Sequence, residues 1–310
     1  MLDLINLTKE YRNVRAVDQL NLHLDPGEIF GFIGPNGAGK TTTIKMIATL
    51  LRPTAGEARV NGVNVVEHPE QVRSVIGYMP DFFGVYEDVK VWEYLDFFAA
   101  AYKIPRDQRP GIIDDVLELT DLTSKRESFV EELSRGMKQR LCLAKTLVHD
   151  PLLLLLDEPA SGLDPRARIE IRELLKELRR MGKTIFVSSH ILSELADFCT
   201  SIGIIEAGRL IAAGTVDEII AKTGITRSVE IRATAGLDRV ESALRESPLV
   251  QEVVFQPESD VFSVSFGGEL DDVADLLKLL LDHGVRVVQA VESASDLEEI
   301  FLRVTKGQVS

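Results

Sequence analysis

Cysteine is nearly absent: Cys142 and Cys199 are the only two among 310 residues. Neither lies in a metal-ligand spacing, which argues against a disulfide framework or a zinc site and fits a reducing compartment. Basic charge is also scarce. Lys and Arg number 35 against 49 Asp and Glu, a formal charge of −14. Affinity for DNA or RNA comes from clustered cations, so no nucleic-acid partner is expected. Long apolar runs are missing too, since none approaches the ~18 residues of a membrane-crossing helix. The longest candidate, VWEYLDFFAAAY, is interrupted by Glu93 and Asp96. The first residues, MLDLINLTKEYR, alternate apolar and polar side chains and lack the basic and apolar regions of a signal peptide. If the protein acts at a membrane, another chain is expected to span it.

What is present is an ordinary soluble composition, 45% apolar and 27% charged, in a chain long enough for about two domains. Up to about residue 220 the pattern alternates strands and helices. EIFGFIG (28–34) reads as an apolar strand entering a glycine loop, and TTTIKMIATLL (41–51) as the helix after it. Residues 91–148 turn mostly helical. LLLLLD, then PRARIEIRELLKELRRMG with Pro165 at its start and Gly182 at its end, then TIFVSSH, predict two parallel strands joined by a helix. SIGIIEAGRLIAAGT predicts a hairpin turning near Gly208.

A boundary is expected near AKTGITR (221–227), giving a first domain at 1–222, with a helical subdomain at about 88–148, and a second at 226–306. The second reads as strand (228–233), helix (238–246), strand (250–256), strand (261–266), helix (270–283), strand (285–292) and helix (296–304). That order predicts a small ferredoxin-like α+β unit. Residues 225–310 carry 8 basic and 16 acidic side chains, and two readings stay open: a solvated module or a specific docking surface.

GPNGAGKT, with Thr42 following, matches G-x-x-x-x-G-K-[ST] without deviation. Gly34, Pro35, Asn36, Gly37, Ala38 and Gly39 form a loop whose inward N–H groups, beside a helix N-terminus, make an anion site. Lys40 can reach terminal phosphates and the Thr41 hydroxyl can ligate Mg²⁺. A chance match in a chain of this length is on the order of one in a hundred, so nucleotide binding is expected.

The five leucines Leu152–Leu156 belong in an interior, yet Asp157 and Glu158 follow at once. Burying a lone carboxylate is costly unless something compensates it. A buried strand ending there delivers Asp157 to the carboxyl edge of a parallel sheet, where such sheets bind ligands. Mg²⁺ supplies the compensation, and Glu158 can take the proton from an attacking water.

LSRGM (133–137) precedes this strand, SGLD (161–164) follows it, and His190 ends the next one. Taken alone, Ser134 reads as a plain helix N-cap. In this order the five motifs closely resemble the ATP-binding subunit of an ABC transporter over roughly residues 1–220, which implies a P-loop NTPase α/β domain with a helical subdomain. The resemblance implies Tyr11 stacking on adenine, Gly34 to Thr42 holding the triphosphate of ATP, and Asp157 the Mg²⁺ shell. It gives Glu158 the attacking water and His190 the γ-phosphate. It places Ser134 and Gly136 on ATP held by a second copy, with Asp164 lining that interface, and so implies a homodimer.

Two departures stand out. Arg135 and Met137 replace a usual Gly and Gln of the signature, so its rim is altered. Asp81 stands where the family carries a Gln that contacts Mg²⁺ and the transmembrane partner, and Asp81 is expected to sense the metal itself. Phe82, Phe83, Val85 and Tyr86 follow; they read either as subdomain core or as the groove receiving a helix of the membrane partner. The segment DLEEIFLRVT (296–305) resembles the tails of export-branch ATPases that pair with separate permeases. The expectation is a cytoplasmic Mg²⁺-ATP-hydrolysing motor, peripheral on the inner face of the cell membrane and powering export through an integral membrane permease. Competing readings are a non-transport ATP-gated switch and a small-molecule-sensing ATPase.

Overall fold

EIFGFIG places Ile29, Phe30, Gly31, Phe32 and Ile33 in β3 (Ile29–Ile33), every residue buried, so this strand has no solvent face. In the computed structural model, β3 is central to a six-stranded sheet. The structure describes residues 1–12, 14–81, 84, 88–196, 198–215, 218–219, 227–257, 260–268 and 271–292. Parallel neighbours of β3 are β8 (Thr184–Ser189) and β9 (Ser201–Glu206); beyond β8 come β7 (Leu153–Leu156) and β6 (Ile76–Met79), also parallel. An antiparallel edge strand, β10 (Arg209–Gly214), completes the order β10-β9-β3-β8-β7-β6. The β9–β10 turn falls at Ala207 (φ 46°) and Gly208 (φ 79°), two left-handed residues that suit a tight hairpin.

A second sheet orders β2-β1-β4-β5 from β1 (Leu2–Tyr11), β2 (Val14–Leu24), β4 (Ala55–Val60) and β5 (Val63–Asn64). Strict alternation along β1 would turn Asn6 inward. Instead Asn6 takes φ 47°, the register shifts between Leu4 and Leu7, and Leu2, Leu4 and Leu7 all face the core. These leucines join Phe30, Phe32, Phe186, Leu153 and Leu155 in one cluster. The four leucines of β7 are wholly buried, each worth roughly 1.5–3 kcal/mol, which offsets the desolvation of the carboxylate beside them.

Helices α1 (Lys40–Ile47), α2 (Pro69–Val75), α3 (Val91–Ala101), α4 (Arg109–Leu119), α5 (Arg135–Leu147), α6 (Pro165–Arg180) and α7 (Leu192–Ala196) complete this unit. One expectation is corrected here. The helix read over 41–51 ends at Ile47: Thr49 takes φ 62°, and the N–H groups of Leu50 and Leu51 both donate to Lys45 O. Pro53 lies just beyond, and the chain must turn there to enter β4 at Ala55. α5 begins at Arg135 because the Ser134 hydroxyl caps it by accepting from Met137 N–H, the cap expected of Ser134 taken alone. α6 starts at Pro165 behind an Asp164 N-cap, and Gly182 beyond its end takes φ 85°.

A second compact unit separates from the first between Gly214 and Thr215. It runs β11 (Arg227–Ala235), α8 (Leu237–Leu244), β12 (Val250–Gln256), β13 (Val261–Phe266), α9 (Asp272–Asp282) and β14 (Arg286–Glu292). The sheet order β12-β13-β11-β14, antiparallel throughout, is the split βαβ arrangement of a ferredoxin-like unit. Its core joins Val229, Ile231, Val264 and Phe266 of the sheet to Leu244 and Leu280 of the helices. Most of the expected linker, the tail helix at 296–304, and Phe82, Phe83, Val85 and Tyr86 lie outside the described residues. No described helix is long and apolar enough to cross a membrane.

Candidate active site

The carboxyl ends of β3, β8, β7 and β6 open on the same sheet edge, and each is followed by residues singled out above: Gly34, His190, Asp157 with Glu158, and Asp81. The glycine loop fits only as glycine at two points. A Cβ on Gly34 would lie 2.3 Å from Ile205 O. At Gly39 it would lie 2.4 Å from Ala16 O, and there φ is +108° as well. So the loop is pressed onto β9 on one side and onto β2 on the other.

Lys40, the first residue of α1, is 6% exposed. Its ammonium donates to Gly34 O (2.6 Å) and Pro35 O (3.3 Å) and stands 3.4 Å from Glu158 Oε1. The other oxygen of that carboxylate, Oε2, is 2.8 Å from His190 Nδ1. Glu158 therefore sits between a buried cation and a half-exposed imidazole. It adopts φ 51°, a left-handed conformation that costs a non-glycine residue about 1–2 kcal/mol. This bend, immediately after β7, separates the direction of Glu158 from that of Asp157.

Asp157 is 1% exposed, and its backbone N–H donates to Met79 O on β6. Ser188 on β8, fully buried, holds both acidic residues: its hydroxyl donates to Asp157 Oδ1 (2.7 Å) and accepts from Glu158 N–H (3.0 Å). Asp157 Oδ2 has no hydrogen-bond partner among the described residues. Burial pushes the Asp157 carboxyl above its ordinary pKa; the Ser188 and Thr41 hydroxyls pull it back, and the charges of Asp81 and Glu158 push it up again. A buried carboxylate oxygen without a donor, beside a hydroxyl and a second carboxylate, is a hard-oxygen set suited to Mg²⁺. Among the described residues no His, Cys, Asp and Glu side chains cluster as an all-protein metal cage.

Asn36, Gly37, Thr41, Thr42, Asp81 and His190 line one cavity of about 280 Å³ together with Lys40 and Glu158. Two further walls, Ala16 and Ser161, were not expected from the sequence, and neither was the role of Ser188. Ala38 is buried beneath the loop, and Pro35 O also accepts from its N–H.

Four expected residues lie elsewhere. Ser134, Gly136 and Asp164 line a separate cavity of about 220 Å³ on the same chain. There Ser134 Oγ accepts from Met137 N–H (3.3 Å) and Asp164 Oδ1 from Ala167 N–H (2.9 Å), so each caps a helix. Tyr11 is not among the residues lining the phosphate cavity; it is 43% exposed at the end of β1, with the Lys9 ammonium 5.1 Å over its ring.

Residues 17–161 match the family model described as ABC transporter. A Nod factor export ATP-binding protein I of Cupriavidus metallidurans is 35% identical over 307 residues, covering 98% of this chain and 97% of that protein. A daunorubicin resistance ATP-binding protein of Streptomyces coeruleorubidus is 32% identical over 297 residues, covering 96% and 93%. Among solved structures, a dimeric post-hydrolysis state of an ATP-binding cassette bound to ADP and Pi superposes with a TM-score of 0.64 at 25% identity, over 70% of this chain and 99% of that one.

Proposed function

Because the chain belongs to the ABC transporter ATP-binding family, we propose that its phosphate cavity hydrolyses ATP between two copies of itself and drives a separate integral membrane permease. The chain is an ATP-binding and ATP-hydrolysing motor subunit of an ABC transporter. Relatives named for Nod factor export and daunorubicin resistance support outward transport.

The observation that carries the reading is the convergence of Lys40, Glu158 and His190 with the partnerless Asp157 oxygen at one sheet edge. Each residue has a task that its surroundings prepare. The loop from Gly34 to Thr42 receives the triphosphate on backbone N–H groups at the α1 N-terminus. Lys40 leaves the loop carbonyls to pair with phosphate oxygens. Thr41, Asp157 and Asp81 would hold Mg²⁺, which would neutralise phosphate charge. Glu158, freed from Lys40, orients the attacking water and accepts its proton. His190 holds Glu158 in place through Nδ1 and presents its other nitrogen to the γ-phosphate. Tyr11, exposed beyond the loop, is available to the adenine. Ser134, Gly136 and Asp164 face the nucleotide of the second copy, which explains why they lie outside this chain's own phosphate cavity.

A mostly apolar cavity of about 360 Å³ between the core and the helical region, lined by Leu50, Ile76, Tyr78, Phe98 and Tyr102, supports docking of a permease helix. Such a partner keeps the chain peripheral on the cytoplasmic face of the membrane. The test is hydrolysis itself: Glu158→Gln binds ATP but loses Mg²⁺-dependent turnover, and Lys40→Ala loses binding. Full turnover in Glu158→Gln would remove the carboxylate from the chemistry.

A further inference from the structure

The loop from Glu158 to Asp164 connects the phosphate cavity to α6, and α5 reaches it at two points. Deep in the fold, Gln139 Nε2 donates to Pro159 O (2.5 Å); at the surface, Arg135 Nη2 donates to Ser161 O (3.2 Å). The inner tie is buried and fixed, whereas the outer one is a single exposed hydrogen bond that can break and re-form. The Arg135 guanidinium lies against the α-carbon of Gly162. A Cβ there would fall 2.1 Å from Nη2, 2.4 Å from Cζ and 2.7 Å from Nη1. Gly162 thus leaves the space in which the cation rests.

The two ends of this contact belong to different cavities. Ser161 lines the phosphate cavity, and its N–H donates to Glu158 O (3.1 Å). Arg135 lines the other cavity beside Ser134, Gly136 and Asp164. Resting on the dimer reading above, we propose that Arg135 is a positioning residue coupling the two nucleotide sites. A nucleotide arriving at the α5 tip from the second copy disturbs or tightens the grip on Ser161. The displacement passes along the loop to the backbone of Glu158 in this chain's own site. Arg135 needs no contact with the reacting atoms to do this.

The test compares the native chain with Arg135→Ala and Arg135→Lys. Three readouts are needed: hydrolysis against ATP concentration, equilibrium binding of trinitrophenyl-ATP at protein concentrations that keep protomers apart, and melting temperature to confirm folding. The native chain is expected to give a Hill coefficient above one. In Arg135→Ala it falls to one, with loss of a coupling factor of about fivefold or more, while single-protomer affinity for the analogue stays the same. Arg135→Lys, which keeps a cationic donor, recovers part of the cooperativity. A coefficient unchanged in Arg135→Ala overturns the proposal, as does a native coefficient of one. A matched loss of analogue affinity would show that Arg135 supports this chain's own phosphate site without a second copy, and would overturn it too. Light scattering on Glu158→Gln with ATP separates the premise from the inference. A protomer that stays single brings down the dimer reading, whereas a dimer with unaltered cooperativity in Arg135→Ala brings down only the coupling role.

Discussion

Ser188→Ala removes one oxygen atom from a fully buried position and should harm both stability and catalysis. The lost hydroxyl takes away a hydrogen bond to the Asp157 carboxylate, worth about 1.5–3 kcal/mol. It also strands the Glu158 N–H, at a cost of about 1–3 kcal/mol for an unsatisfied buried donor. A net loss of about 3 kcal/mol in a unit of about 200 residues lowers the melting temperature by roughly 6–12 °C. The deficit should also depend on pH. Burial raises the Asp157 pKa, so the stability attached to its neutral form is complete below the ordinary carboxylate range and is lost as pH rises through the raised value. Ser188 favours the ionised form, so its removal pushes that pKa higher still. The gap between native and variant stability therefore widens from pH 4 to pH 7. Hydrolysis should fall about a hundredfold, because Glu158 loses the contact that fixes its backbone. Calorimetry across that pH range with steady-state ATPase assays decides the matter. A variant that melts within 2 °C of the native chain and turns over normally would refute the reasoning.

Three further substitutions probe other parts of the site. Gly39→Ala puts a methyl group 2.4 Å from Ala16 O at φ +108°, so it should destabilise the chain by at least about 2 kcal/mol and abolish ATP binding, as read by denaturant melts and nucleotide titration. Asp81→Gln should raise the Mg²⁺ concentration for half-maximal hydrolysis about tenfold; an unchanged Mg²⁺ dependence would take Asp81 out of the metal shell. His149 stacks on Tyr102 at 3.6 Å, its Nε2 is 2.8 Å from Ile76 O, and Nδ1 has no partner among the described residues. Burial depresses its pKa, so the stability it contributes is present above the ordinary imidazole value and is lost as pH falls through the depressed one. His149→Gln should therefore flatten the fall in stability between pH 7 and pH 5, measured against the native chain by urea melts.

Local chemistry made much of this site readable from the chain alone. GPNGAGKT carries its conformation in its own glycines, and the leucine run announces a strand buried on both faces at Leu153–Leu156, although Leu152, expected in the interior with them, precedes the strand and is 41% exposed. Ser134 marks a helix start through a bond three residues away and Pro165 through its fixed φ, so the local sequence finds both. What escaped the sequence depends on distant pairing. Ser188 meets Asp157 only because β7 and β8 lie side by side, and nothing in SSH distinguishes its two serines until that pairing exists. The left-handed turn at Glu158 defies the ordinary preference of a glutamate and is held by the same hydroxyl. The inward phase of Leu7 follows from a register shift between partner strands, and α1 stops early because of where β4 must begin. Arg135 reads from the sequence as a change in the rim of the signature, and its contact with the loop shows only once Gly162 is seen to make room for it.

Light scattering on Glu158→Gln in Mg²⁺-ATP, with Ser134→Glu added in a second variant, addresses the shared nucleotide most directly. Glu158→Gln should double in mass when ATP is added and stay single without it. The double variant, with a carboxylate placed where the second copy's γ-phosphate must sit, should remain single under both conditions. A Glu158→Gln protein that binds ATP yet keeps the mass of one chain, or a double variant that pairs as readily, would show that the α5 tip does not close over a neighbour's ATP.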